Sequence, residues 1–208
     1  MVAVVHERAV LPERELVDEC LARPDGALLG LSMAAVGFNV AHDAVHGSIS
    51  SRPWVNRFWS RTFDVFGANS ANWSLAHNFA HHTYTNVAHA DVDIEPGRSM
   101  VFHPHQRPAR IHRYQHFYAP LLYALAFVAW VVAKDFRHAL MRDPRTGRRQ
   151  PLRRVAEVVA WKAVHFALYL WVPLRFSGFG TGEVLAGYLT CLVFVGLPFV
   201  TRTVQPVV

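Results

Sequence analysis

The chain has 208 residues, of which 52% are hydrophobic, and its mean hydropathy is +0.14. This composition favours a single membrane-associated domain over an ordinary soluble one. The formal charge of +6 is compatible with nucleic-acid binding, but no nucleic-acid-binding motif accompanies it, and basic loops of membrane proteins explain the same charge. Two distant cysteines, Cys20 and Cys191, exclude a disulfide framework and a thiolate-bound metal or iron–sulfur centre.

The N-terminal segment, residues 1–25, is polar and has three arginines against six acidic residues, unlike a signal peptide. The first uncharged stretch follows at residues 27–41. As a helix it would reach only about 22 Å. It therefore needs flanking residues to span a bilayer core of about 30 Å.

Three further apolar stretches occupy residues 118–133, 163–174 and 183–200. The last two flank a glycine-rich turn and predict a helical hairpin that crosses the membrane and returns. Residues 142–154 contain six arginines and one aspartate, which places them in the cytoplasm by the positive-inside rule. The acidic segment 1–25 is easier to place outside, so one crossing by the first helix leaves His42 in the cytoplasm as well. Residues 118–133 must then begin and end on the cytoplasmic side, as an interfacial or re-entrant helix. The predicted fold class is an all-α membrane protein with transmembrane and interfacial helices.

Thirteen histidines are concentrated in the middle of the chain. His42 and His46 are four residues apart, as are His77 and His81, and this spacing turns two rings of a helix toward one point. Imidazole is a favoured ligand of iron, zinc, copper and nickel. One such pair arises often by chance, but two pairs beside apolar helices indicate a metal site. Because His82 points about 100° away from its neighbour on a helix, the cluster predicts two metals.

The sequences GFNVAHDAVHGSISSRPWVNR, AHNFAHHTYTN and DVDI resemble the first two histidine boxes of the membrane fatty acid desaturases, most closely the front-end and linoleoyl-CoA branch. The resemblance covers residues 30 to about 200. It implies a di-iron centre on the cytoplasmic side that activates dioxygen and removes two hydrogens from an acyl chain. The implied iron ligands are His42, His46, His77, His81 and His82. The groups implied to orient their ring N–H donors are Asp43, Asn78, Asp91 and Asp93, with ordinary caps and solvated polar residues as the alternative.

The resemblance also implies a fatty acyl substrate, either acyl-CoA or lipid-linked. Electrons would come from a separate ferredoxin or small haem protein, because the chain has no nucleotide fingerprint and no haem or ferredoxin module. Two alternatives remain open: a lipid or carotenoid hydroxylase on the same scaffold, and a non-catalytic membrane fragment. Nineteen arginines against two lysines favour a bacterium with a GC-rich genome, and hence its plasma membrane.

The family's third histidine box is absent, since no histidine follows His165, and one helix rather than two precedes the first box. We therefore expect residues 1–208 to be a single, incomplete desaturase domain that binds iron weakly or not at all. His112 and His116 repeat the ligand spacing and are candidates for additional ligands, although HRYQHFY resembles the start of the family's interfacial helix. The remaining unpaired histidines are predicted to be surface or interfacial residues: His89, His103, His105, His138 and His165.

Six aromatic residues follow the first histidine pair: Trp54, Phe58, Trp59, Phe63, Phe66 and Trp73. They could line a narrow acyl tunnel, because such a substrate needs an apolar channel to the metals. They could equally form an aromatic belt at the membrane interface.

Overall fold

The computed structural model describes residues 25–91, 99–102, 105–143 and 145–203, and the regular elements of these residues are all helical. The α-helices are α1 (Asp25–Val36), α2 (His42–Val45), α3 (Pro53–Ser60), α4 (Thr62–Phe66), α5 (Ser70–Ser74), α6 (Gln115–Ala129), α7 (Asp135–Leu140), α8 (Leu152–Phe166), α9 (Val172–Phe176) and α10 (Thr181–Thr203). The π-helical segments are Gly37–Ala41, Leu75–His81, Trp130–Lys134 and Ala167–Trp171, and a 3₁₀ helix covers Arg110–Tyr114.

Several of these elements join end to end into four helical runs that are long and apolar enough to cross a membrane: Gly26–Val45, Arg110–Leu140, Leu152–Phe176 and Thr181–Pro198. In the hydrocarbon region each backbone polar group must find a partner within the protein, and a continuous helix meets that requirement. The predicted class, an all-α membrane protein, is confirmed.

The first apolar stretch extends through its flanks, as expected, to a run of 20 residues. The run Arg110–Leu140 extends at both ends beyond the interfacial or re-entrant helix expected at residues 118–133. It has 31 residues and the highest mean hydropathy of the four runs. The charged residues that follow the apolar stretch lie inside this run: Lys134, Asp135 and Arg137. Asp135 is fully buried, and Lys162 is its ion-pair partner.

Helix α10 packs against both α1 and α6. Gly26 and Gly30, four residues apart on α1, face α10 closely: a Cβ on Gly26 would meet the backbone of Gly187 at 2.5 Å. At the other end of α10, a Cβ on Gly196 would lie 2.5 Å from the carbonyl oxygen of Ala124 in α6. Small residues spaced in this way let helix backbones approach each other within a membrane.

The hydrophobic core lies between these three helices and the segment that follows α6. Its members are Met33, Ala68, Phe127, Trp130, Val131, Cys191, Leu192 and Val195. Large apolar side chains also cover the outside of the helical runs, for example Leu121 at 61% exposed and Val132 at 63%. An apolar exterior of this kind fits contact with lipid.

The aromatic residues after the first histidine pair fall into two groups. Trp54 and Phe58 are each 64% exposed on α3, and Trp59 is 39% exposed. Phe63 instead packs inward, with its ring centroid 4.9 Å from that of Trp73. The outer group has the exposure expected of an interfacial belt, and Trp73 of the inner pair contacts the histidines.

Candidate metal centre

The first histidine segment begins where α1 widens into the π-helical turn Gly37–Ala41. The N–H group of His42 donates to the carbonyl of Gly37, five residues earlier. His42 and His46 then lie on consecutive turns, with ring centroids 4.6 Å apart. Single π-turns within α-helices are rare and frequent at functional sites.

The second segment also contains π-helix, over Leu75–His81. The N–H group of His82 donates to the carbonyl of His77. The wider turn therefore brings residues five apart together, and the Nε2 atoms of His77 and His82 lie 3.1 Å apart. The sequence predicted an ordinary helix in which the rings of His81 and His82 point about 100° apart, and it contains no signal for the wider turn.

The two segments meet face to face. Ring nitrogens of His42, His46 and His77 lie within 4.8 Å of one another, close enough to hold one ion. The ring of His82 lies 4.9 Å from that of His46, and the ring of His81 lies 5.3 Å from that of His77. All five histidines predicted from the sequence are therefore neighbours in one cluster.

His46 Nε2 is buried and has no hydrogen-bond partner among the described residues. Burial lowers the pKa of His46, and electrostatic interaction with the nearby imidazoles of His42, His77 and His82 lowers it further. The neutral imidazole, which is the metal-binding form, is therefore favoured. A buried nitrogen lone pair without a partner, surrounded by other imidazoles, fits a transition-metal ion.

Asp91 is fully buried, and its carboxylate contacts His81. The distances from His81 Nδ1 to the two carboxylate oxygens are 2.9 and 3.0 Å. The N–H group of Asn86 donates to the same carboxylate at 2.9 Å, which fixes its position. With Nδ1 engaged, His81 presents Nε2 for a metal, as expected of a carboxylate–histidine pair.

The other residues expected to orient the rings behave differently from one another. Asp43 Oδ1 lies 3.0 Å from Nδ1 of its neighbour His42. Asn78 contacts the backbone instead of a ring: its Nδ2 donates to the carbonyl of Val45 at 3.0 Å and so joins the two histidine segments. Asp93 lies outside the described residues.

Trp73 forms one wall of the cluster. Its ring stacks on that of His77, with centroids 4.2 Å apart and planes inclined by 20°. The ring of His42 meets its edge at 5.5 Å. Trp73 thus holds a histidine from each segment, a role that the sequence did not reveal because an aromatic residue carries no ligand signature.

The additional ligand candidates have local contacts. His112 Nδ1 accepts a hydrogen bond from the N–H group of Ala109 at 2.8 Å. His116 is exposed, with its ring 4.0 Å from that of Phe117. Neither belongs to the group of three histidines that could share an ion among the described residues.

The predictions for the unpaired histidines have mixed outcomes. His89 and His105 are exposed as expected, and His138 is half-buried. His103 lies outside the described residues. The prediction for His165 is wrong, because its side chain is fully buried. The side chain of His165 can be buried because both ring nitrogens have protein partners, Val65 O at 3.0 Å and Tyr188 OH at 2.8 Å.

Four helical runs of membrane-spanning length, together with two converging histidine segments, define a membrane protein with a candidate metal centre. The family model described as fatty acid desaturase matches residues 20–204, and the chain belongs to this family.

Curated relatives support the same family. The chain is 32% identical to the sn-1 linoleoyl-lipid 6-desaturase of Arthrospira platensis over 81% of its own length and 48% of the relative. It is 33% identical to the enzyme of the same name from Synechocystis sp., over 81% of its length and 50% of the relative. An acyl-lipid (8-3)-desaturase from Mortierella alpina is 29% identical over 80% of the chain and 40% of the relative. The chain thus spans about half the length of these cyanobacterial relatives, and no solved structure matches it.

Proposed function

We propose that this chain forms part of a fatty acid desaturase that introduces a double bond into an acyl chain at a histidine-ligated di-iron centre. The observation that carries the proposal is the convergence of five imidazoles from two distant segments beside apolar helices. Their spacing and the unpartnered Nε2 of His46 fit metal ligation.

The residues that would hold the metals are His42, His46, His77, His81 and His82. When bound, iron would supply the activation of dioxygen that hydrogen removal from an unactivated methylene requires. Asp91 would keep His81 in the tautomer that exposes Nε2, and Asp43 would do the same for His42. Asn78 would hold the two segments in register through its bond to Val45.

Two aromatic residues are candidates for contact with the acyl substrate. Trp73 lies against the histidines and Phe63 packs on Trp73, so the two rings form an aromatic wall. An apolar wall of this kind would exclude water and accept an acyl chain. The names of the cyanobacterial relatives favour a lipid-linked acyl group over acyl-CoA.

The remaining components lie outside the chain. The reaction needs electrons, which we assign to a separate ferredoxin or small haem protein. The four helical runs make the protein an integral membrane protein. We place it in a bacterial plasma membrane, in line with the cyanobacterial relatives, with the histidines on the cytoplasmic side as the resemblance to the family implies.

The test is expression of the complete gene in a bacterium that lacks desaturases, with fatty acids analysed by gas chromatography and mass spectrometry. We expect a new unsaturated acyl chain that depends on oxygen and disappears in the variant His77→Ala. The matched control, His116→Ala, alters an exposed histidine and should retain the product. Hydroxylated acyl chains would replace the proposal by a hydroxylase, and an unchanged lipid profile with a folded, iron-loaded protein would contradict it.

A further inference from the structure

A second group of polar side chains lies next to the metal centre and is sealed from solvent. We call it the polar core; its members are Asp64, Asn69, Ser70, Asn72, Asp135, Lys162 and His165. They come from three parts of the chain: residues 64–72, Asp135 and residues 162–165. Asp135 lies on the run Arg110–Leu140 and residues 162–165 lie on Leu152–Phe176, both of which are long enough to span the membrane. Polar and charged groups in such a setting are costly unless they are hydrogen-bonded, and they often have a functional role.

An ion pair between two helical runs lies at the middle of the polar core. Lys162 Nζ in α8 lies 2.7 Å from Asp135 Oδ2 in α7. The same ammonium group donates to the carbonyls of Trp130, at 3.3 Å, and of Gly67. All three ammonium hydrogens therefore have acceptors. A buried ion pair adds little stability over apolar residues of similar volume, but its short, directional contacts require one defined arrangement of the two helices.

The ion pair holds the start of the helix that leads to the second histidine segment. Asp135 Oδ2 accepts a hydrogen bond from the N–H group of Asn69 at 2.9 Å. The carbonyl of Asp135 accepts another from Asn72 Nδ2 at 3.0 Å. Asn69 also caps α5, because its Oδ1 accepts from the N–H group of Asn72 at 3.0 Å. The first turn of α5 is thus tied to α7.

The chain reversal before α5 is held from the other side by α8. Gly67 adopts a left-handed conformation with φ of 99°. A Cβ at Gly67 would lie 2.8 Å from Cε1 of His165, so the imidazole fills the space under the turn. Since Lys162 also donates to the carbonyl of Gly67, both polar residues of α8 hold the same turn.

Helix α5 continues without interruption into the π-helical segment that carries His77 and His81. Trp73, at the end of α5, stacks on His77. The geometry points to Lys162 and Asp135 as positioning residues that set the orientation of the second histidine segment for metal binding. This inference rests on the proposed function, because it gives these residues a role at the same metal centre.

The test uses the full 208-residue protein in detergent micelles. The variant Lys162→Met removes the charge, and the double variant Lys162→Met/Asp135→Asn avoids an unpaired buried carboxylate. The control is Leu192→Ala, which opens the apolar core of α10 without touching the polar core. Circular dichroism and size exclusion select folded protein of each variant.

Two measurements report the position of His77. The first is the proton NMR shift of the His77 ring in histidine-labelled protein, because stacking on Trp73 moves that signal upfield. The signal is assigned by its absence in the variant His77→Gln. The second is titration with Co²⁺, followed by its visible absorption. We expect the double variant to lose the upfield shift and to bind Co²⁺ about tenfold more weakly or worse. Leu192→Ala should lower the unfolding temperature and leave both signals unchanged.

An unchanged His77 shift in the folded double variant would overturn the inference, whatever the metal affinity. Equal loss of the shift in Leu192→Ala would also overturn it, because the effect would then reflect general loosening of the bundle. Absence of Co²⁺ binding by the unmodified chain would agree with the expectation that these 208 residues bind metal weakly or not at all, and it would bear on the metal centre rather than on the positioning role. The metal-free NMR measurement would still decide the positioning role in that case.

Discussion

The carboxylate of Asp91 lies 2.9 Å from Nδ1 of His81, across a turn of ten residues. This contact places a buried negative charge behind one of the five clustered imidazoles. A carboxylate in that position fixes the ring and raises its basicity toward a metal.

We expect Asp91→Asn to weaken Co²⁺ binding by about 10- to 100-fold, because the amide cannot hold the His81 N–H donor as a carboxylate does. The dissociation constant can be measured by absorption titration of the detergent-purified protein. Asp143→Asn is the control, since Asp143 pairs with Arg145 outside the cluster. Equal affinity of the Asp91 variant and the unmodified protein would show that the contact does not support metal binding.

The variant His46→Leu should show whether His46 is a metal ligand or a structural residue. The Nε2 atom of His46 is buried without a partner among the described residues, so an apolar side chain should change the metal-free free energy of unfolding by less than about 1 kcal/mol. The same change should abolish the rise in unfolding temperature that Co²⁺ produces. His116→Leu should keep that rise; if it does not, His116 is an additional ligand.

Gly67→Ala should destabilise the protein by about 2–4 kcal/mol, because it adds left-handed backbone strain and a clash with His165. Gly178 also has a positive φ, of 81°, but a Cβ there would meet no atom within 4 Å. Gly178→Ala should therefore cost only about 1–2 kcal/mol. Denaturant unfolding in mixed micelles measures both values. Similar losses for the two variants would mean that His165 does not fill the space under the turn.

Gly30→Ala tests the close packing of α1 on α10. A Cβ at Gly30 would lie 2.8 Å from the Cβ of Phe194, so the helices must separate, at a cost of about 1–3 kcal/mol. Gly182→Ala, in the first turn of α10 with nothing within 4 Å, should be neutral or stabilise by up to about 1 kcal/mol. Thermal unfolding in one detergent compares the two variants directly. A neutral effect of Gly30→Ala would contradict the close approach.

Residue spacing and apolar length, both local properties, allowed the membrane class and the candidate ligands to be predicted from the sequence. Histidines four residues apart share a helix face whatever surrounds them, so His42, His46, His77 and His81 could be recognised before their partners were known. Long uncharged stretches predict helices in the same way. Charges near their ends were less informative: Asp135 lies inside a helix, and its partner Lys162, 27 residues later, is invisible to any local pattern.

The tertiary structure decided which atom each histidine turns toward the others. In the π-helical turn that brings His77 to His82, the backbone hydrogen bond joins residues five apart instead of four. The side-chain pattern does not encode this difference. His165 has the same side chain as the candidate ligands, yet contacts with Val65 and Tyr188 engage both its nitrogens. Residue type and spacing thus identified the histidines that could bind a metal. The free or engaged state of each ring nitrogen depends on residues that only folding brings together.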